Sequence, residues 1–357
     1  MKQPIISGIQ QMGIGIPAVY EAWKFYRRAF KMNIPIFDEA AEANLMLPYT
    51  GGAARERHAV LALSEQGGGG MEIWQYTSRV PQPAEFEIRT GDLGFFVCKM
   101  KTTDVEAAYR YMQENGINFL GNISEMPNGQ KHFFVADPYG NIFEVVPSDD
   151  VFRKTGALTG GVFGAIIGVS DIERSAKFYG DIMGYDTVVY DKTGVFDDFA
   201  VLPGGEVKVR RVLLRHSLPR KGSFSKMLGA SEIELIRVLE GHTPRSIFQN
   251  RMWGDLGFIH LCFDIKDMDA MRAKCAALGH PFTVDSQADR DVFDMGEAAG
   301  NFAYIEDPDG ALIEFVEAYK IPIFKKIGWY LDLRKRNPEK PLPNWMLKAL
   351  ALNKVKD

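Results

Sequence analysis

One short module is written four times along this chain. A repeat of this kind is the strongest constraint on the fold, because each copy is a supersecondary unit that must bury its apolar face against another copy. The clearest pair begins at Gly91-Asp92-Leu93-Gly94-Phe95 and at Gly254-Asp255-Leu256-Gly257-Phe258, and aligns without a gap as far as Gly116 and Gly279. Each member later reaches an Asp-Pro-x-Gly turn and a strand with a glutamate. Asp137-Pro138-Tyr139-Gly140 precedes Glu144, and Asp307-Pro308-Asp309-Gly310 precedes Glu314. Proline presets φ in such a turn, and glycine accepts the positive φ that follows. The other two copies begin near Ile9 and Phe163, share the helix signatures Lys24-Phe25-Tyr26 and Lys177-Phe178-Tyr179, and end in strands carrying Glu72 and Glu234.

Each module reads as a strand, a helix and three strands, an α+β pattern of four βαβββ units. In the first helix Tyr20, Trp23 and Phe30, with Ala22 and Tyr26, form an apolar stripe at helical spacing. The middle of the third module reads as long and irregular. A polar, glycine-containing linker around 149–160 divides the chain into expected domains at 1–150 (modules 1 and 2) and 161–318 (modules 3 and 4), followed by a basic helical tail at 319–357. In that tail Lys325, Lys326, Arg334, Lys335 and Arg336 accompany Phe324, Ile327, Trp329 and Leu331. Such a helix can lie on an anionic membrane. Its apolar stripe is short, however, and the expectation is that it packs on the body or on a second subunit of a homodimer.

Composition narrows the function classes. The net charge of −4 argues against nucleic acid as the main partner. Cys98, Cys262 and Cys275 show no paired spacing, which fits a reducing compartment and excludes a disulfide framework. The N-terminus has no apolar signal core, and no apolar run approaches the roughly 20 residues of a membrane helix. A cytoplasmic protein with a small-molecule partner is the expectation.

Taken together, the residues Gln11 to Tyr26, Glu72, Ser170-Asp171-Ile172-Glu173-Arg174-Ser175 with Phe178-Tyr179, Glu234, the paired Gly-Asp-Leu-Gly-Phe starts and the two Asp-Pro-x-Gly-to-glutamate ends resemble the vicinal oxygen chelate superfamily. That group includes glyoxalase I, ring-cleaving dioxygenases, epimerases and bleomycin-resistance binding proteins. The resemblance spans roughly Ile6 to Val316. It implies modules paired into two cupped, incomplete β-barrels, with metal ligands on the first and last strand of each module. Fold resemblance alone does not choose among the chemistries the superfamily hosts.

The same resemblance places the first-strand ligand fifteen residues before the helix tyrosine. From Tyr26 that position is Gln11; from Tyr179 it is Gly164, which has no ligating side chain. In the fourth module it falls on His260, and the gapless alignment sets Val97 opposite in the second. Asp92 is not a ligand on this register, since its counterpart is Asp255. The last-strand positions are Glu72, Glu144, Glu234 and Glu314. Neighbour pairing would give two three-ligand sites, each with a defect. Pairing of the outer modules would give one complete set, Gln11, Glu72, His260 and Glu314, and one decayed set, Val97, Glu144, Gly164 and Glu234. The outer pairing is the more economical reading. Taken singly, these residues mean little: a lone strand glutamate ordinarily faces water, and a lone histidine among apolar neighbours is ordinarily part of a core.

Two carboxylates, an imidazole and an amide oxygen suit a divalent ion such as Zn²⁺, Ni²⁺, Co²⁺, Mn²⁺ or Fe²⁺. The chemistry implied is that of a lyase or isomerase, with Glu314 or Glu72 moving a proton beside a polarised carbonyl. A metal-free binding protein of the bleomycin-resistance type and a ring-cleaving dioxygenase are the alternatives. Strand alternation nominates Trp74, Tyr76, Phe258 and Cys262 as substrate contacts in a roomy cup. Gly15 and Leu256 occupy the positions where glyoxalase I carries arginines for glutathione, so a bulkier, more apolar substrate is expected. The basic run Lys208-Val209-Arg210-Arg211 with Arg215 reads as a solvated face, and His132 has no register support.

Overall fold

The computed structural model describes residues 3–287, 293–295, 298–324 and 328–355. Its local structure follows the apolar periodicity. In the helix Val19–Phe30 the buried residues Val19, Ala22, Trp23, Tyr26, Ala29 and Phe30 recur every three or four positions, and Lys31 ends the helix in the left-handed conformation. The first strand of the second module, Gly94–Thr102, is buried on both faces, which explains its nearly unbroken apolar run. The third module's middle is more regular than its sequence indicates: Thr187–Gly194 and Lys208–Arg215 are paired antiparallel strands. Between them Arg210 pairs with Asp191 on the outer face, while Arg211 of the same basic run is buried.

The strands form two curled sheets. Among the described residues the first runs in the order Val284–Asp285, Ala298–Glu306, Leu312–Phe324, Gly257–Lys266, Ile5–Gly15, Gly70–Tyr76, Glu56–Ser64, Met32–Glu42. It therefore joins modules 1 and 4. The second runs Thr187–Gly194, Lys208–Arg215, Glu232–Glu240, Val162–Gly168, Gly94–Thr102, Ile142–Pro147, Lys131–Ala136, Asn118–Phe119, and joins modules 3 and 2. Neither sheet is confined to 1–150 or to 161–318. Sequence neighbours meet on the helix side instead. The hydroxyl of Tyr26 donates to Asp137 Oδ2 at 2.6 Å, and that of Tyr179 to Asp307 Oδ2 at 3.0 Å. The other oxygen of each aspartate accepts two backbone N–H groups of its own turn. The helix tyrosines and the Asp-Pro-x-Gly turns are thus one device, used twice, that seats a helix from one sheet on the end strand of the other. One continuous apolar core takes residues from all four modules.

The tail is not the amphipathic helix expected. Its strand Leu312–Phe324 runs on past the module and pairs with Trp329–Asp332, and among the described residues of the tail only Asn344–Ala349 is α-helical. Gly328, at φ 66°, permits the reversal that a helix would forbid. Lys325, Lys326 and Ile327 lie outside the described residues. The tail does pack on the body: Ile321, Leu333, Leu342, Leu347 and Leu350 are buried with Ile34, Leu63, Phe224, Met227 and Leu228. No described helix is long and apolar enough to cross a membrane.

Removing one helix hydroxyl tests the device that joins the sheets. Tyr26→Phe should lower unfolding free energy by about 1.5–3 kcal/mol, the range for a hydrogen bond to a charged group. Tyr179→Phe should cost a similar amount, both read from denaturant melts.

Candidate metal centre

Gln11, Glu72, His260 and Glu314 come from four adjacent strands of the first sheet. Gly13 is the register partner of both Glu72 and His260, and Cys262 is the partner of both Gln11 and Glu314. A Cβ on Gly13 would lie 2.4 Å from the imidazole Cε1. The glycine is therefore what lets the ring of His260 lie across the strand.

All four side chains are buried. Gln11 Nε2 donates to Glu72 Oε2 at 3.0 Å and lies 3.4 Å from Glu314 Oε2. His260 Nε2 is 3.1 Å from Glu72 Oε2 and 3.1 Å from Glu314 Oε2. Ligand atoms of Glu72, His260 and Glu314 all fall within 4.8 Å of one another. Despite these short distances, His260 Nε2 has no aligned hydrogen bond, and Gln11 Oε1 is buried without a partner. The polar atoms of the four side chains crowd one small space between the strands. That arrangement fits an ion: rotation of the Gln11 amide would bring its unpartnered oxygen into the same space. Burial opposes the imidazolium, yet the Glu314 and Glu72 carboxylates overcome it and push His260 up to about 10. Burial also works against the Glu72 carboxylate, which the neighbouring His260 nevertheless holds below its ordinary value. Both shifts favour a charged imidazolium beside two charged carboxylates.

The second sheet carries the same template filled differently. Glu144 and Glu234 occupy the matched positions, with Val97 buried and Gly164 pressed against the Glu232 carbonyl oxygen, 1.9 Å from where a Cβ would stand. The centre is taken by Lys99, whose Nζ lies 3.2 Å from Glu144, 2.9 Å from Glu232 and 2.8 Å from Glu234, all fully buried. Burial disfavours the ammonium, but Glu144, Glu232 and Glu234 hold its pKa well above the ordinary lysine range. His132 Nδ1 lies 2.6 Å from Glu144 and is pushed up to about 9, Asp198 and Glu144 overcoming its burial. Arg211 binds both Glu234 and Asp198. The run read as a solvated face thus splits: Arg210 pairs outside with Glu173 and Asp191, while Arg211 is buried. Sequence reasoning missed Lys99, His132 and Arg211. The available signal was the lysine itself, a charge in the apolar run Phe95-Phe96-Val97-Cys98-Lys99-Met100, at the alignment position of Cys262.

A cavity of about 420 Å³ opens beside the first centre, with Gln11, Glu72 and Glu314 among its walls. Trp74 lines it as expected; Tyr76, Phe258 and Cys262 do not. The Tyr76 hydroxyl is turned to the Trp253 carbonyl. Phe258 packs on Phe143 at 5.7 Å and lines a separate cavity of about 220 Å³. Cys262 is buried between Gln10, whose Oε1 lies 3.5 Å away, and the Glu314 carboxylate, so it sits beside the centre without reaching the cavity wall. Alternation alone could not foresee these outcomes: bulges near Gln11 and Gly13 shift the register beside Cys262 and Phe258, and a distant loop claims the Tyr76 hydroxyl. The cup is also less open than expected above Gly13 and Gly15, where His260 and the Asp255 carbonyl oxygen take the space. Trp253, from the loop before Gly254, was not foreseen; it stacks parallel to His260 at 6.1 Å. The indole N–H groups of Trp74 and Trp253 are both buried without a hydrogen-bond partner.

A family model described as the Glyoxalase/Bleomycin resistance protein/Dioxygenase superfamily matches residues 8–145 and 162–315. The chain belongs to that superfamily. Among solved structures it is similar to glyoxalase I from Zea mays, at 14% identity and TM-score 0.53, over 87% of this chain and 92% of that one. It is also similar to a candidate dioxygenase from Bacillus subtilis subsp. subtilis str. 168, at 13% identity and TM-score 0.57, over 88% of this chain and 86% of that one. At these identities the likeness concerns the fold. A search of curated proteins found no match.

Two outcomes follow from this geometry. Lys99→Met would leave three buried carboxylates without their shared cation and should destabilise the fold by about 3–5 kcal/mol, the usual cost of breaking a buried pair; denaturant unfolding measures it. At the first centre, an ion must displace the His260 proton. Its raised pKa stabilises the metal-free fold below the ordinary 6.5, and that contribution fades as pH rises through about 10. Metal affinity should therefore climb about tenfold per pH unit over this window, with about one proton released per ion. Calorimetry in buffers of different ionisation enthalpy reads both quantities.

Proposed function

We propose that this chain is a divalent-metal-dependent lyase or isomerase of the glyoxalase-like type, acting without glutathione on a small, fairly apolar substrate with adjacent oxygens. The observation that carries this reading is the meeting of Gln11, Glu72, His260 and Glu314 at the wall of an apolar cavity. The donor set suits Zn²⁺, Ni²⁺, Co²⁺, Mn²⁺ or Fe²⁺. When bound, such an ion would supply Lewis-acid polarisation of a substrate carbonyl.

The rest of the chemistry falls to the chain. Glu314 or Glu72 takes the proton from the carbon next to the carbonyl and returns it to the neighbouring carbon, or lets a leaving group depart. Trp74 and Trp253 wall off water on one side of the cavity. The absence of glutathione dependence is supported by Gly15 and Leu256, and by the Asp255 carbonyl oxygen that fills the space beside Gly15, 2.1 Å from where a Cβ would stand. The ring-cleaving alternative is disfavoured by the donor set, which has one histidine and two glutamates where ring-cleaving relatives use two histidines and one carboxylate.

Protein purified without chelator should contain close to one divalent ion per chain by elemental analysis. His260→Ala should lose it, and Glu144→Gln, in the second cup, should keep it. An ion-free wild type would favour a pure binding protein, and redox-active iron with oxygen uptake would favour a dioxygenase. Glu314→Gln or Glu72→Gln should lower turnover by about a hundredfold to ten-thousandfold, the range for a general base. Ordinary enzymatic turnover of the methylglyoxal–glutathione adduct would contradict the reading.

A further inference from the structure

The cavity has two unlike sides, and strand register separates them. Leu61 is the partner of Glu72 and also of Phe37. Two residues further in one direction, Ala59 pairs with Trp74 and with Glu39, and Arg57 follows. The charged lining residues Glu39, Glu42 and Arg57 lie on this side, with the indoles of Trp74 and Trp253. Two residues in the other direction, Leu63 pairs with Ile34, against the C-terminal segment. The cavity walls there are Leu63, Phe224, Met227, Leu228, Ile321 and Leu350. These six side chains, from three distant parts of the sequence, belong to one apolar cluster. Leu350 is only 5% exposed.

Charge argues in the same direction. Arg57 is the cation among the lining residues, and Glu39 already binds it, through its carbonyl oxygen at 3.0 Å and its carboxylate at 3.0 Å. An anionic substituent would find no free countercharge in that wall. The far side offers apolar surface alone, which rewards an occupant only for the area it removes from water.

We infer that the substrate carries an uncharged alkyl or aryl arm seated between Glu72 and the C-terminal segment, and that Leu350, with Met227, sets the length of that arm. The inference rests on the proposed function only in placing the oxygen-bearing end at the candidate metal centre. The C-terminal segment is then a specificity wall as well as a cover for the sheet.

Tryptophan fluorescence, reporting through Trp74 and Trp253, can follow binding of alkane-1,2-diols from about four to about twelve carbons, with alkan-1-ols of the same lengths in parallel. Affinity should rise about fourfold per methylene until the arm is full, then stop rising. Leu350→Ala and Met227→Ala should each move that break to longer chains, and Leu350→Trp to shorter ones. The alanine variants alter two different segments of the chain, so misfolding of one leaves the other informative. A wild type indifferent to chain length, or a break that no folded variant moves, overturns the inference. A break that moves as expected upholds it, even where diols bind no better than alkanols; that equality would count against the metal-centred reading instead.

Discussion

Everything in the first cup depends on the antiparallel contact between the strand Ile5–Gly15 and the strand Gly257–Lys266, which joins opposite ends of the chain. The contact is close because Gly13 and Gly15 present no side chains where the His260 ring and the Asp255 carbonyl oxygen lie. It sets His260 across from Glu72, and the parallel neighbour Leu312–Phe324 then brings Glu314 alongside. Without this seam the four donor residues belong to modules with no reason to share a cavity. The tyrosine–aspartate bonds from Tyr26 and Tyr179 fix how the two sheets are set against one another, and so hold the seam in place.

The two sheets show one template answered in two ways. In each, carboxylates converge from last strands, and their mutual repulsion in a dry interior must be offset. The second cup answers with its own cations, Lys99, Arg211 and His132, interleaved with Glu144, Glu232, Glu234 and Asp198. Such a network balances its carboxylates with cations of the chain itself. The first cup has no lysine there: Cys262 stands where Lys99 stands, and Gly70 where Glu232 stands. A proton on His260 is its internal answer, and a proton is far easier to displace by an ion than a tethered ammonium.

The site residues were legible to different degrees, for physical reasons. Gln11, Glu72, His260 and Glu314 could be placed by register because backbone pairing in a repeat transfers position faithfully from copy to copy. Phe258 and Cys262 could not, since which face a strand residue presents near a bulge depends on local twist, and Tyr76 could not because the Trp253 carbonyl, from a distant loop, claims its hydroxyl. Trp253 and Leu350 were invisible for another reason. They enter from a loop and from the C-terminal segment, outside any periodic pattern, and reach the cavity only through long-range packing.

By itself the sequence determined the four modules, their α+β order, the turns that end them and the residue types available at each matched position. These are local matters, governed by periodicity of two and 3.6 residues and by proline and glycine backbone preferences. Tertiary structure alone decided that module 1 pairs with module 4 and module 2 with module 3. It also decided that Lys99 is buried among carboxylates, and that the C-terminal segment extends the first sheet and closes its cavity instead of forming an amphipathic helix. The physical reason is that strand pairing and burial of charge are set by which surfaces meet, and no short stretch of chain carries that information.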